Sequence, residues 1–206
     1  MSSSPTFLDP VILPLIKGES VLDVACGVGR WGNLIHTNHW EAGIPCPAVD
    51  GFDSFPPNVR TCAQRGCYRR VWEHRLPASL EGTWDTVLAC EIIEHLPEEE
   101  AYRTVEMLES VATKRIIIST PNFLYLRGGA DTDDGHNPDE AHLSHIPRSW
   151  FKKRGYEITG AGFGNPTNPF VKAIKGCRMR GQRMLGGLPY VFPSLGFLYV
   201  AHKDVG

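Results

Sequence analysis

Along the first 120 residues, short β-rich apolar runs alternate with stretches whose apolar positions recur at helical spacing. The run 20–26 is apolar and ends in glycines, which predicts a strand, and a helix over 30–39 follows it. Residues 48–52 predict a second strand closed by Asp53, and residues 57–64 a helix with proline in its first turn, where a missing N–H costs nothing. A weaker third strand is expected over 68–73 and a fourth over 86–90. Pro97 and the acids Glu98, Glu99 and Glu100 suit a helix start, and Ala101, Val105, Leu108 and Ala112 then recur as its buried face. Lys114 and Arg115 are expected at the end of that helix, and the run 116–120, β-branched at all but Ser119, reads as a buried central strand. This alternation predicts a parallel sheet with helices on both faces.

The order changes after residue 120. Residues 121–147 are polar, with glycines, acids and three histidines, and read as a long loop or cap. A short helix is expected over Arg148–Lys153. Strands over 156–162 and 197–202, joined by a long Gly/Pro/Arg-rich insertion at about 163–193, fit an antiparallel hairpin at the sheet edge. Loops of this length in a compact domain are usually functional or mobile.

A chain of 206 residues can bury a sizeable core and is short for two domains, so residues 1–206 are expected to form one. Apolar residues make up 42% and charged residues 21%, with a net charge of −2 and a sequence pI near 6.4. No global positive field draws such a chain to nucleic acid or an anionic membrane. The apolar run 11–16 is short and broken by Pro14, so the start reads as neither signal peptide nor membrane span. The six cysteines, Cys26, Cys46, Cys62, Cys67, Cys90 and Cys177, contain no C-x-x-C pair. They suggest reduced thiols in a cytoplasmic setting.

The most informative segment is Val21-Leu-Asp-Val-Ala-Cys-Gly-Val-Gly-Arg30. Glycine at 27 and 29 lets the chain turn sharply and approach a ligand without a Cβ in the way. Asp23 lies four residues before the first glycine, and Gly32 takes the third position of a G-x-G-x-x-G pattern. A carboxylate beside the loop would repel pyrophosphate and would suit a cationic ligand. Asp53 also reads as a turn residue before Pro56 and Pro57, and Asp50 competes with it from inside the second strand.

The run Leu22-Asp23-Val24-Ala25-Cys26-Gly27-Val28-Gly29 resembles the first motif of class I S-adenosylmethionine-dependent methyltransferases. The resemblance implies an α/β, Rossmann-like, doubly wound and mostly parallel seven-stranded sheet with a C-terminal antiparallel hairpin. It implies that Asp23, Ala25, Gly27, Gly29, Asp53, Ser54 and Glu91 bind the cofactor, with Asp53 taking both ribose hydroxyls, for which two acceptor oxygens suit a vicinal diol. Where the family often carries an acid facing adenine, this chain reads Glu73-His74-Arg75-Leu76-Pro77, so a backbone carbonyl is expected there. Trp84–Cys90 and Ile118-Ser119-Thr120-Pro121-Asn122 resemble the family's fourth strand and fifth strand end, and the joint match spans roughly residues 20 to 122.

Two groups of residues carry candidate acceptor chemistry. Glu91, Glu94 and His95 stand three and four positions apart, a spacing that would share one face of a helical turn. His142 and His145 follow the fifth strand. The Glu-x-x-Glu-His turn resembles that of ubiquinone-pathway and small-RNA 2′-O-methyltransferases. That likeness implies a Mg²⁺ or Mn²⁺ ion on Glu91, Glu94, His95 and His142, lowering the pKa of a bound substrate hydroxyl. Without a metal, His142 or His145 is the candidate general base, with His95 nearby. Trp31 and Trp150 are expected to pack core or cofactor surface. The late cations Lys172, Lys175, Arg178, Arg180 and Arg183 read as a solvated loop, or as a surface that meets an anionic substrate or RNA.

The leading expectation is O-methylation of a small-molecule hydroxyl, on a sugar, a quinone-like ring or a natural product. The alternatives are a metal-dependent RNA 2′-O-methyltransferase, an N-methyltransferase, a non-catalytic cofactor-binding scaffold subunit and a dinucleotide oxidoreductase. The oligomeric state is not legible.

Overall fold

The computed structural model describes residues 4–132, 135–176 and 185–206. A short helix α1 (Asp9–Ile12) and flanking 3₁₀ turns precede β1 (Ser20–Val24). Then come α2 (Arg30–Ala42), β2 (Ala48–Asp53), α3 (Pro56–Gln64), β3 (Arg70–Glu73), β4 (Trp84–Cys90), α4 (Glu98–Val111) and β5 (Ala112–Pro121). The segment after β5 contains a small hairpin of β6 (Ala130–Thr132) and β7 (Gly135–Asn137). The chain continues through α5 (Arg148–Lys153), β8 (Glu157–Phe163), α6 (Pro169–Gly176), α7 (Leu188–Val191) and β9 (Gly196–Asp204).

The main sheet has seven strands in the order β3-β2-β1-β4-β5-β9-β8. Neighbours from β3 to β5 pair in parallel, and β9 runs antiparallel between β5 and β8. The expected hairpin therefore exists, but its second strand is inserted beside β5 and only β8 forms the edge. The strand order reverses between β1 and β4, and in open α/β sheets a crevice opens at such a point beyond the strands' carboxyl ends.

Both sheet faces are covered. Leu22, Val24, Val87, Ile116 and Ile118 pack with Ala101, Val105 and Leu108 of α4 on one face. On the other, Val21, Val49, Leu88 and Ile117 meet Trp31 and Ile35 of α2 and Leu8 and Ile12 of the N-terminal segment. Strands buried on both faces need continuous rather than alternating apolar runs, as β1, β4 and β5 have. No helix among the described residues is long and apolar enough to cross a membrane.

Several expectations are corrected. Lys114 and Arg115 lie inside β5 rather than at a helix end, because α4 passes directly into the strand. Their charges are met there by Asp85 and Asp204. The insertion after β8 contains α6 and α7, whose helical signal is hidden by proline and glycine. Lys172 is exposed on α6, whereas Arg178, Arg180, Arg183 and Cys177 lie outside the described residues.

Candidate active site

The chain leaves β1 through a loop that three left-handed residues shape: Ala25 at φ 53°, Gly27 at φ 55° and Gly29 at φ 87°. Ala25 adopts this conformation despite its Cβ, and such strain gathers where surrounding structure serves a site. The loop is anchored from β2, where Asp53 Oδ2 accepts the Gly27 N–H at 2.8 Å. Its other oxygen accepts from the Phe55 N–H at 2.9 Å and from Asn58 Nδ2 at 3.2 Å. Burial raises the Asp53 pKa above the usual aspartate value, and these donors oppose the shift.

Asp23 does not face the cleft, contrary to expectation. Its carboxylate is buried under the loop, where it accepts from Tyr68 Oη at 2.5 Å. Tyr68 in turn accepts the Gly32 N–H at 2.9 Å, so one phenol ties β1 to the start of α2. A Cβ at Gly32 would collide with that ring, which explains the glycine there. Burial pushes the Asp23 pKa up to about 7, against the Tyr68 hydrogen bond and with the help of Asp53. Gly29 likewise lines no part of the cleft and serves as the N-cap of α2. Asp50, the competitor of Asp53, points elsewhere: it is fully buried and bound by Arg69, Arg70 and Trp84.

Ala25, Gly27, Asp53, Ser54, Glu91 and His95 do line one cleft at the ends of β1, β2 and β4. A second hollow continues it past Phe52, His74, Arg75 and Leu76. Asp139, from the cap after β7, borders both. Arg75 grips that carboxylate through two bonds of 2.8 and 2.7 Å, and Ser54 Oγ donates to it at 2.8 Å. This strap was not foreseen; the acids of the cap were its only sequence signal.

Beyond β4 the chain does not form the α-helical turn that the Glu91, Glu94 and His95 spacing suggests. Glu91 sits at φ 55°, and only Ile93–His95 form a 3₁₀ turn. Glu91 is thereby turned toward β5, where Ser119 Oγ donates to its carboxylate at 2.8 Å. Burial lifts Glu91 to about 7, and the Ser119 donor opposes it. Glu94 takes one bond from Thr120 Oγ1 at 3.0 Å, while its buried Oε1 has no partner.

Glu94, His95 and His142 bring one ligand atom each within 4.8 Å of one another. His95 Nδ1 faces the Ala141 carbonyl at 3.1 Å, which calls for a proton on that nitrogen, and the Glu91 backbone also bonds the ring. His142 Nδ1 is buried without a partner. Burial lowers His142 to about 4, with His95 and Arg127 pushing the same way, so the ring is neutral at pH 7. Burial raises Glu94 well above the usual glutamate value, with Glu91 adding to the shift. A divalent cation would answer both the orphaned atoms and the buried charge, so this donor set fits a metal; Glu91, bonded to Ser119, stands outside it.

The pocket over this group is lined by Glu91, Glu94, His95, Tyr125, Arg127, His142 and Phe197. Glu91 and His95 thus belong to both the cleft and this pocket. No local pattern marks Tyr125, Arg127 or Phe197 as pocket residues, since the first two lie in an irregular segment and Phe197 reads only as the start of a strand. His145 is separated from His142's pocket and borders another cavity, with Asn122 and Arg148. Trp31 packs in the core beside the cleft, and Trp150 packs on Tyr102 and Phe151.

No protein-family model and no curated protein matches this chain. Solved structures do match it. Magnesium protoporphyrin IX methyltransferase from Synechocystis PCC 6803, with bound SAH, aligns with a TM-score of 0.58 at 17% identity, over 96% of this chain and 81% of that one. A DhpI–SAM–HEP complex aligns with a TM-score of 0.57 at 15% identity, over 95% and 85%. A SAM-dependent methyltransferase from Archaeoglobus fulgidus aligns with a TM-score of 0.56 at 18% identity, over 96% and 90%. This chain has the class I methyltransferase fold. Within the methyltransferase fold, the cleft described above lies at the strand-order reversal, between the glycine loop after β1 and the Glu91 turn after β4.

Proposed function

We propose that the chain is an S-adenosylmethionine-dependent methyltransferase that methylates a hydroxyl group on a small-molecule acceptor. The observation that carries this reading is the sharing of Glu91 and His95 between the loop cleft and the pocket of Glu94 and His142. A donor bound in the first then meets an acceptor bound in the second across two polar side chains. Asp53 has acceptor capacity left for a ribose diol. The loop's Ala25–Gly27 backbone, which lines the cleft, faces the rest of the cofactor. Glu91, raised to about 7 by burial, is only partly ionised at neutral pH, and the Arg127 guanidinium in the same pocket favours its charged form.

Methyl transfer is an in-line displacement, so the protein's part is to align the hydroxyl, exclude water and take up its proton. Tyr125 and Phe197 wall the acceptor pocket, and the neutral His142 and His95 rings can receive the proton. A second reading is favoured by the orphaned Glu94 Oε1 and His142 Nδ1: Glu94, His95 and His142 hold Mg²⁺ or Mn²⁺. Such an ion supplies Lewis-acid activation of the acceptor hydroxyl.

Calorimetric titration with S-adenosylhomocysteine tests the first reading. Micromolar binding is expected, and labelled methyl transfer to a panel of hydroxyl acceptors should follow. No binding would leave a cofactor-free scaffold as the better description.

A further inference from the structure

Four arginines of the described chain are half-buried: Arg30, Arg115, Arg148 and Arg154. Arg30 holds Asp9, Arg115 holds Asp204, and Arg154 holds Glu106 and Glu109. Arg148 has no carboxylate partner among the described residues. A guanidinium withdrawn from water without a counter-charge is costly, and a bound anion removes the cost.

Arg148 borders a cavity of about 360 Å³ with Lys152, Ser149, Asn122, His145 and Pro147. Lys152 lies one helical turn beyond Arg148, so the two cations share a face of α5. No acid lines this cavity. His145 contributes a buried Nδ1 that has no hydrogen-bond partner. The flat fork of one arginine would suffice for a carboxylate. A second cation and a hydroxyl suit a tetrahedral dianion better.

The cavity and the acceptor pocket share two strips of chain. Pro121 and His142 line the acceptor pocket, whereas Asn122 and His145 line the cavity. We infer that the Arg148–Lys152 cavity binds the phosphate group of a phosphomonoester acceptor whose hydroxyl reaches the neighbouring pocket. The acceptor part of this inference rests on the proposed methyl transfer; the anion site does not. A nucleic-acid strand would call for a longer track of cations than these two.

The test follows the arginine guanidinium and histidine ring signals of the full chain by NMR during titration, at constant ionic strength, with inorganic phosphate and then glycerol 3-phosphate. Saturable shifts are expected at Arg148 and His145, with affinity falling roughly tenfold or more in Arg148→Gln and in Lys152→Gln. S-adenosylhomocysteine binding retained in both variants would show that they are folded. Absence of saturation, or equal affinity in the variants, overturns the site. Shifts at His142 with glycerol 3-phosphate support the acceptor assignment; shifts confined to Arg148 and His145 overturn it in favour of free anion. A short RNA that displaces phosphate better than glycerol 3-phosphate does would overturn the small acceptor. Phosphate binding without S-adenosylhomocysteine binding would sink the methyl-transfer reading and leave the anion site standing.

Discussion

The Asp53 carboxylate accepts the Gly27 N–H at 2.8 Å, joining the end of β2 to the glycine loop that follows β1. One side chain thus both shapes the loop and borders the cleft that the loop encloses. The geometry of that cleft depends on a contact between segments 26 positions apart.

Asp53→Ala should therefore act twice, by freeing the loop and by removing a ligand-facing carboxylate. We expect S-adenosylhomocysteine affinity to fall by about 1–3 kcal/mol, the usual loss for a charge-assisted hydrogen bond. Calorimetry on the folded variant measures it, and an unchanged affinity would remove Asp53 from the site.

Asp23 makes stability depend on pH. Its folded-state pKa is raised from 3.8 to about 7, so between those values the folded chain holds a proton that the unfolded chain has lost. The stability it contributes is full below the unfolded value and disappears as pH rises through about 7. Asp23→Asn, which can still accept from Tyr68, should flatten this decline. Urea midpoints at pH 5 and pH 8 compare the two proteins, and identical slopes would refute the assignment. Glu91 is also raised to about 7, so a residual decline in the variant is expected.

The metal reading is exposed to a direct measurement. Mn²⁺ titration followed by electron paramagnetic resonance should show one bound ion in the parent chain. Glu94→Gln and His142→Ala should each weaken it by at least about tenfold. If neither variant changes the spectrum, Glu94 and His142 are not its ligands.

The strap between Arg75 and Asp139 spans two hollows. Asp139 borders both hollows and Arg75 the second, so the strap forms part of the cleft's wall. Arg75 is mostly exposed, and such pairs contribute under about 1 kcal/mol to folding. Arg75→Ala should leave the melting temperature nearly unchanged while speeding S-adenosylhomocysteine release several-fold in stopped-flow experiments. Equal release rates would show that the strap does not gate the cleft.

Local patterns made much of this arrangement legible. The apolar run before Gly27, the Asp53 that closes β2 and the proline-led helices announce themselves within a few residues, because propensity and capping act at that range. Contacts that join distant segments do not. Nothing near Tyr68 signals that it will reach Asp23, and nothing near Arg75 signals Asp139. The spacing of Glu91, Glu94 and His95 suggested an α-helical turn, but the left-handed conformation of Glu91 breaks it. Spacing cannot show such a break at a non-glycine residue, since tertiary packing imposes it. Helices α6 and α7 were hidden by the glycines and prolines around them.

The cap is fastened to the Glu94 turn through main-chain atoms. The Glu94 carbonyl accepts the N–H groups of Leu143 and Ser144 at 2.7 and 3.1 Å, and Ser144 Oγ donates to the Ile93 carbonyl at 3.4 Å. Any residue at position 94 would keep the two carbonyl bonds. Shape and reactivity are therefore separable here: the side chain of residue 94 can drift through evolution, or be redesigned, while the roof of the acceptor pocket stays in place.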